Sequence, residues 1–261
     1  NLTDDSFFSV SRNLRADGTF DEELFRGRIV NMLESGADIL DLGACSTRPG
    51  SDSISEEEEW KRLEPALNIL ASEHAGVKIS IDTFRPAVVS RAFDIIGPFI
   101  VNDVSGGSEE MWSLLGRLHL PYIAMHTRGT PKNMQNLTDY DNVTEAVREF
   151  FVGIAAEADR HGVEDWILDP GFGFAKTVEQ NWQLLREMAV LQEFGKEILV
   201  GLSRKSFLFR PLGITPADAL PATQVADFIA LQNGADILRV HDVAEAVRTV
   251  KLYRLFNQAS A

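Results

Sequence analysis

The chain has 261 residues, 44% of them hydrophobic and 25% charged, enough to bury one large core of ordinary globular composition. Its formal net charge of -14 argues against a nucleic-acid surface. A single cysteine excludes an internal disulfide and fits a reducing cytoplasm, and no apolar run approaches the ~20 residues of a membrane span.

Strand-type and helix-type runs alternate from end to end. Asp21 is placed to cap a helix with Phe25, Ile29 and Leu33 on its apolar face, stopped by Gly36. Strands follow at 37–43, 77–83, 99–105, 121–126, 166–170, 198–203 and 235–241, short and apolar through the middle, as strands covered on both faces should be. Ser55 with Glu58 makes a capping box before Trp60, Leu63, Leu67 and Leu70, and Pro65 is expected to kink that helix. Further helices are expected at about 86–96, 109–118, 143–161, 178–194, 216–232 and 243–256.

That gives eight helices against seven strands. If each helix follows a strand, a first strand ends near Asn1 with its apolar part upstream of this numbering. The fold class expected is therefore α/β, a (β/α)8 TIM barrel forming a single domain over 1–261. An internal echo agrees: Gly36-Ala-Asp-Ile-Leu40 recurs as Gly234-Ala-Asp-Ile-Leu238. A doubly wound open sheet is the rival, but no G-x-G-x-x-G follows the first strand.

In such barrels chemistry sits at the carboxyl ends of the strands. Those positions hold Asn1, Asp41, Ser46-Thr47-Arg48-Pro49-Gly50, Asp82-Thr83, Asn102-Asp103, His126, Asp169, Ser203-Arg204-Lys205-Ser206 and Arg239-Val240-His241-Asp242. Some are turn formers: Asp242 is read as a cap for the last helix, and Gly106-Gly107 as a turn. Lys205, Arg239 and His241, on neighbouring strands of an acidic chain, predict an anionic, phosphorylated ligand. Asp82, Asn102 and Asp169 offer acceptors, and a carboxylate matches an amino group beside a ring N–H in bidentate fashion. The residues thus point to a planar nitrogen heterocycle at one end and phosphate at the other.

These segments resemble the dihydropteroate synthase family. The matching stretches are N-L-T-D-D-S-F-F from Asn1, S-T-R-P-G from Ser46, I-D-T from Ile81, N-D-V-S-G-G from Asn102 and M-H-T-R-G-T-P-K-N-M-Q from Met125. D-P-G-F-G-F-A-K from Asp169, G-L-S-R-K-S from Gly201 and R-V-H-D from Arg239 complete the set. The resemblance implies condensation of 6-hydroxymethyl-7,8-dihydropterin diphosphate with p-aminobenzoate, releasing pyrophosphate. It implies that Asp82, Asn102, Asp169 and Lys205 grip the pterin, with Met125, Gly201 and Phe174 lining its slot. Asn1 corresponds to the family's Mg2+ contact, and Arg239 and His241 to its diphosphate binders. Thr47, Arg48 and Pro49, with Phe174, Lys205 and Ser206, complete the p-aminobenzoate site, the target of sulfonamides. Asp82, Asp169, Lys205, Arg239 and His241 are the residues expected to carry the chemistry. A cytoplasmic homodimer, without membrane or nucleic-acid partners, is also implied. The sequence departs from the family pattern at Leu2, Asp4 and Cys45.

Two alternatives stand beside this. A methyltransferase of the methyltetrahydrofolate–corrinoid type shares the barrel and the Asp/Asn/Asp grip but should lack S-T-R-P-G, S-R-K-S and R-V-H. A non-catalytic pterin-binding paralogue should have emptied some site positions. Elsewhere the plainer readings prevail. Cys45 has no evident base and reads as loop filler. His126 follows a strand and reads either as a ligand contact or, at least as well, as packing; His74, His119 and His161 read as surface residues. Arg204 reads as structural, Arg128 and Lys132 as solvated loop residues, and Glu56–Glu59 as a helix start favoured by the dipole. No H-x-H or H-E-x-x-H supports a barrel metallohydrolase.

Overall fold

The structure is a computed structural model that describes residues 2, 20–45, 54–129 and 133–258. The chain falls into two compact units, Asn1–Met125 with Ala156–Trp166, and His126–Ala155 with Ile167–Ala261.

In the first unit strands and helices alternate as α1 (Glu22–Glu34), β1 (Ile39–Gly43), α2 (Glu56–Glu73), β2 (Lys78–Asp82), α3 (Pro86–Ile96), β3 (Ile100–Asp103), α4 (Glu109–Leu118) and β4 (Tyr122–Met125). β1 to β4 pair in parallel, with Gly43 opposite Asp82, Asp82 opposite Asn102, and Asn102 opposite Ile123. Because strand side chains alternate, this register puts Asp41, Asp82, Asn102 and Met125 on one face. Ile81, Val101, Asp103 and Tyr122 take the other, where Tyr122 meets Trp112 of α4 edge-on at 4.7 Å. Leu63, Leu67 and Leu70 of α2 and Val88, Val89 and Ala92 of α3 are buried with them. A fully buried Leu or Val contributes about 1.5–3 kcal/mol, so these apolar stripes hold the helices in place.

The helix starts follow their local chemistry. Asp21 Oδ1 accepts from the Leu24 N–H at 3.0 Å and Ser55 Oγ from the Glu58 N–H at 3.2 Å. The expected capping box at Ser55 is only half made, because the Glu58 carboxylate takes Arg62 instead. A reciprocal box forms instead at Thr177 and Gln180, where none is expected above. α2 continues through Pro65 to Glu73. His161, read as a surface residue, is mostly buried, its side chain 12% exposed. Glu59 belongs to the acidic start of α2 yet is fully buried, paired with Arg85.

The second unit holds most of α5 (Val143–His161) and β5 (Trp166–Asp169). It continues as α6 (Val178–Glu187), β6 (Leu199–Val200), α7 (Ser206–Phe209), α8 (Leu220–Gln232), β7 (Ile237–Leu238) and α9 (Val243–Gln258). The helix expected over 178–194 changes to 3-10 form at Met188–Phe194. β6 pairs with β7 in parallel, and a bridge from Leu168 to Ile198 joins β5 to that pair. The strands expected at 198–203 and 235–241 shrink to two residues each, because side chains compete for the backbone. Beyond the Arg239 N–H bond to Val200 O, they take the donors: Ser203 Oγ accepts from His241 N–H and Thr223 Oγ1 from Arg204 N–H. Four-residue α7 carries too few residues to show a helical period, and the sequence did not reveal it. No helix among the described residues is long and apolar enough to cross a membrane.

Candidate active site

In the first unit the polar residues gather at the carboxyl ends of β1 to β3. Asn102 is fully buried. Its Nδ2 lies 3.4 Å from each oxygen of Asp41, and its Oδ1 is enclosed with no hydrogen-bond partner among the described residues. An orphaned acceptor costs about 1–3 kcal/mol, and it is where a ligand N–H would bind. Asp82 stands beside it in register. Gly43 leaves the space next to the Asp82 carboxyl open; a Cβ there would reach van der Waals contact at 3.4 Å. The Leu2 N–H donates to Gly43 O at 2.8 Å, pinning the chain there against the end of β1. Met125 is buried on the same face.

Strand alternation separates Asp103 from its neighbour. Its Oδ1 takes the Ser105 N–H at 2.7 Å and hydroxyl at 2.6 Å. Burial raises its carboxyl despite those bonds, and burial together with Asp103 raises the Tyr122 phenol well above its ordinary range. Gly107, in the left-handed region at φ 87, does more than turn the chain: a Cβ there would lie 2.6 Å from Trp112 Nε1. Cys45 is buried, and burial followed by the Glu59 charge pushes its thiol up, the opposite of an activated nucleophile.

In the second unit Asp169 ends β5 with a side chain 2% exposed and both oxygens engaged. Oδ1 accepts from the Gly171 N–H at 2.8 Å and Oδ2 from Arg239 Nη2 at 2.9 Å. Arg239 can lie there because residue 201 is glycine; a Cβ would meet its guanidinium at 3.2 Å. Lys205 donates to Phe172 O, and its Nζ sits 4.8 Å from the Phe174 ring centre. Burial pushes Lys205 down to about 7, with Asp169 opposing the shift and Arg239 adding to it. Ser206 opens α7, and His241 Nδ1 lies 2.9 Å from Ser203 Oγ.

Arg204 takes a structural part. It is buried at φ 53, holds both Asp242 oxygens at 2.8 and 3.0 Å, and donates to the carbonyls of Pro216 and Ala217. The Asp242 carboxylate, read as a helix cap, is thus occupied by Arg204. Arg128, read as solvated, donates to Asp139 O at 2.6 Å and lies 3.8 Å above the Tyr140 ring. His126 is buried as packing, edge-on to Phe150 at 5.2 Å.

Asn1, Thr47, Arg48, Pro49 and Lys132 lie outside the described residues. The structure brings Asp82 and Asn102 together in the first unit. It brings Asp169, Lys205, Phe174, Gly201 and Arg239 together in the second. Sequence reasoning gave no role to Lys176, Asn181 or Ser203, although Lys176 closes the D-P-G-F-G-F-A-K stretch.

Parallel strands with polar carboxyl ends define an enzyme of the α/β-barrel class, and solved structures sharing this fold are (β/α)8 barrels. A family model described as pterin binding enzyme matches residues 1–241, and the chain belongs to that family. It is 42% identical over 226 residues to a dihydropteroate synthase of Synechocystis sp., covering 85% of this chain and 78% of the relative. A Yersinia pestis dihydropteroate synthase solved in complex with a sulfonamide drug superposes with a TM-score of 0.86 at 33% identity, over 91% of this chain and 86% of that one. The Thermus thermophilus dihydropteroate synthase in complex with 4-aminobenzoate gives 0.82 at 36% identity, over 88% of each chain.

Proposed function

We propose that the protein is a dihydropteroate synthase, a transferase that joins 6-hydroxymethyl-7,8-dihydropterin diphosphate to p-aminobenzoate. The observation that carries this reading is the polar set of the second unit: a buried carboxylate, Asp169, bonded to Arg239, with Lys205 alongside. A pterin-binding protein that handled no diphosphate would have little use for those cations in a chain of net charge -14. The relatives do not favour the methyltransferase alternative.

In the reaction the bond from the pterin methylene carbon to the diphosphate oxygen breaks. A bond to the aniline nitrogen forms, and that nitrogen loses a proton. Asp82 and Asn102 accept from the pterin amino and ring N–H groups, as does Asp169. The negative charges of Asp82 and Asp169 favour the cation that develops on an electron-rich ring as the leaving group departs. Arg239 and His241 hold the diphosphate, whose charge grows in the transition state, and Lys205 grips the pterin. The aniline is already a competent nucleophile and needs no strong base. Thr47, Arg48, Pro49, Phe174, Lys205 and Ser206 seat it and exclude water that would capture the cation. A sulfonamide carries the same aniline and competes for this seat.

Asn1 is the proposed Mg2+ contact. The amide oxygen of Asn is a hard donor of the type Mg2+ takes, and the bond from Leu2 to Gly43 holds the next residue at the end of β1. One amide cannot hold the ion alone; diphosphate oxygens and water would fill its other positions, and Mg2+ held there would neutralise leaving-group charge. The protein acts in the cytoplasm as a homodimer. Val225 of α8 and Leu252, Leu255 and Phe256 of α9, all more than half exposed, are the apolar surface for that contact.

The test is pyrophosphate release from the two substrates with Mg2+. Release dependent on both substrates is the expected outcome. Pterin binding without release would make the chain a binding paralogue.

A further inference from the structure

The loop from Gly171 to Lys176 carries Phe174 and follows Asp169, and it is built in a costly conformation. Gly171 and Gly173 have φ 68 and 82, and Ala175, which has a side chain, has φ 48 and is fully buried. Such conformations persist only where surrounding contacts over-determine them. Here two buried polar side chains do so. Lys176, 5% exposed, places its Nζ 2.9 Å from Gly171 O, 3.1 Å from Phe174 O and 3.0 Å from His126 Nδ1. Those are three acceptors for the three ammonium hydrogens. Asn181, 1% exposed, accepts from the Gly173 N–H at 2.6 Å and donates to Thr177 O at 2.6 Å and Lys176 O at 3.3 Å.

We infer that Lys176 is a positioning residue, which with Asn181 and His126 holds the 171–176 loop in the shape that presents Phe174 to the aromatic amine substrate. His126 is suited to the task because it is braced on both sides. Its ring packs against Phe150, and its own N–H donates to Asp169 O at 2.9 Å. Accepting the ammonium at Nδ1 fixes the tautomer with its proton on Nε2. Burial pushes the imidazole down to about 2, so it stays neutral and keeps that acceptor. The lysine thus ties the strand end that carries Asp169 to the two carbonyls that flank the loop. A buried amine surrounded by carbonyls and a neutral imidazole, without a direct carboxylate partner among the described residues, is a poor investment in stability alone. It costs the desolvation of a charge, and burial pushes Lys176 down to about 7.

The inference rests on the proposed synthase reading for its substrate, so the unmodified enzyme is first shown to release pyrophosphate; no release would defeat that reading and leave the loop's hold to be judged by exchange. Lys176→Met keeps the stem and removes the hydrogen bonds. Expected is a rise of about tenfold or more in KM for p-aminobenzoate, with KM for the pterin diphosphate changed much less, because misplacing a group by about 1 Å can cost up to 100-fold. Hydrogen–deuterium exchange should rise at amides 171–176 while β6 and β7 stay protected. Asn181→Ala frees the same loop without touching Lys176 and should give the same split in KM and the same exchange pattern, which keeps the inference testable if Lys176→Met does not fold. Unchanged KM values and loop exchange in whichever variant folds, or equal rises in both KM values, would overturn the inference.

Discussion

At the ends of β1 to β3 the side chains are Asp41, Asp82 and Asn102, acceptors with one amide donor; at the ends of β5 to β7 Asp169 meets Arg239, with Lys205 beside it. In the first set a buried oxygen, Asn102 Oδ1, is left without a partner among the described residues, whereas in the second every oxygen of the buried carboxylate is taken. Physics explains the contrast. A neutral amide oxygen can be left unbonded for about 1–3 kcal/mol. An ionised carboxylate cannot be left unpaired without a penalty of several kcal/mol. The first set is therefore ready for a ligand donor, while the second holds its own charges in balance until a ligand rearranges them.

The largest test of this contrast is Arg239→Met. It strands Asp169 with the Gly171 N–H, and breaking a buried ion pair costs about 3–5 kcal/mol. A marked fall in melting temperature and a loss of about 100-fold or more in kcat/KM for pyrophosphate release are expected. An unaffected melting temperature would show that Asp169 does not depend on its cation. Asn102→Leu probes the other set and should behave oppositely. Removing an orphaned acceptor leaves the melting temperature unchanged or higher, while pterin affinity falls by about 10–100-fold, measured by calorimetry. If stability falls as steeply as binding, Asn102 is a structural residue and the contrast fails.

The smallest effect concerns pH. Asp227 of α8 is 2% exposed, its Oδ1 has no partner among the described residues, and burial with the Asp242 charge pushes it up to about 7. Its folded pKa lies above the unfolded value of 3.8, so the folded state binds more protons between those values. Stability therefore declines as pH rises from about 4 to 7. Lys176 and Lys205 have folded values near 7 against 10.5 unfolded, so the unfolded chain binds more protons and stability rises above pH 7. Asp227→Asn should flatten the lower limb of a melting-temperature profile and leave the upper one. A lower limb that survives the substitution would assign it elsewhere.

Much of this architecture is legible in the chain itself. Three helices, Pro86–Ile96, Glu109–Leu118 and Val143–His161, stand where their apolar periods predict them. The seven strands fall inside the expected apolar runs, because burial on both faces leaves an uninterrupted hydrophobic signature. Candidate residues at strand ends were legible for a related reason: a polar side chain that closes an apolar run sits where the buried strand meets the rim, and its polarity breaks the run. What the sequence could not show was pairing across long separations. Glu59 reads as part of an acidic helix start favoured by the dipole, yet Arg85 lies against it; Asp242 reads as a cap, yet Arg204 holds it.

Local periodicity and motif order, then, were enough to specify the alternation of strands and longer helices, the family resemblance and which residues close the strands. The tertiary structure decided which polar groups are satisfied and by whom: Asn102 Oδ1 by nothing among the described residues, Asp169 by Arg239, Lys176 by His126 and two carbonyls. Periodicity is a property of neighbours along the chain. Desolvation and hydrogen bonding depend on distances of about 3 Å between residues dozens of positions apart, and only folding sets those.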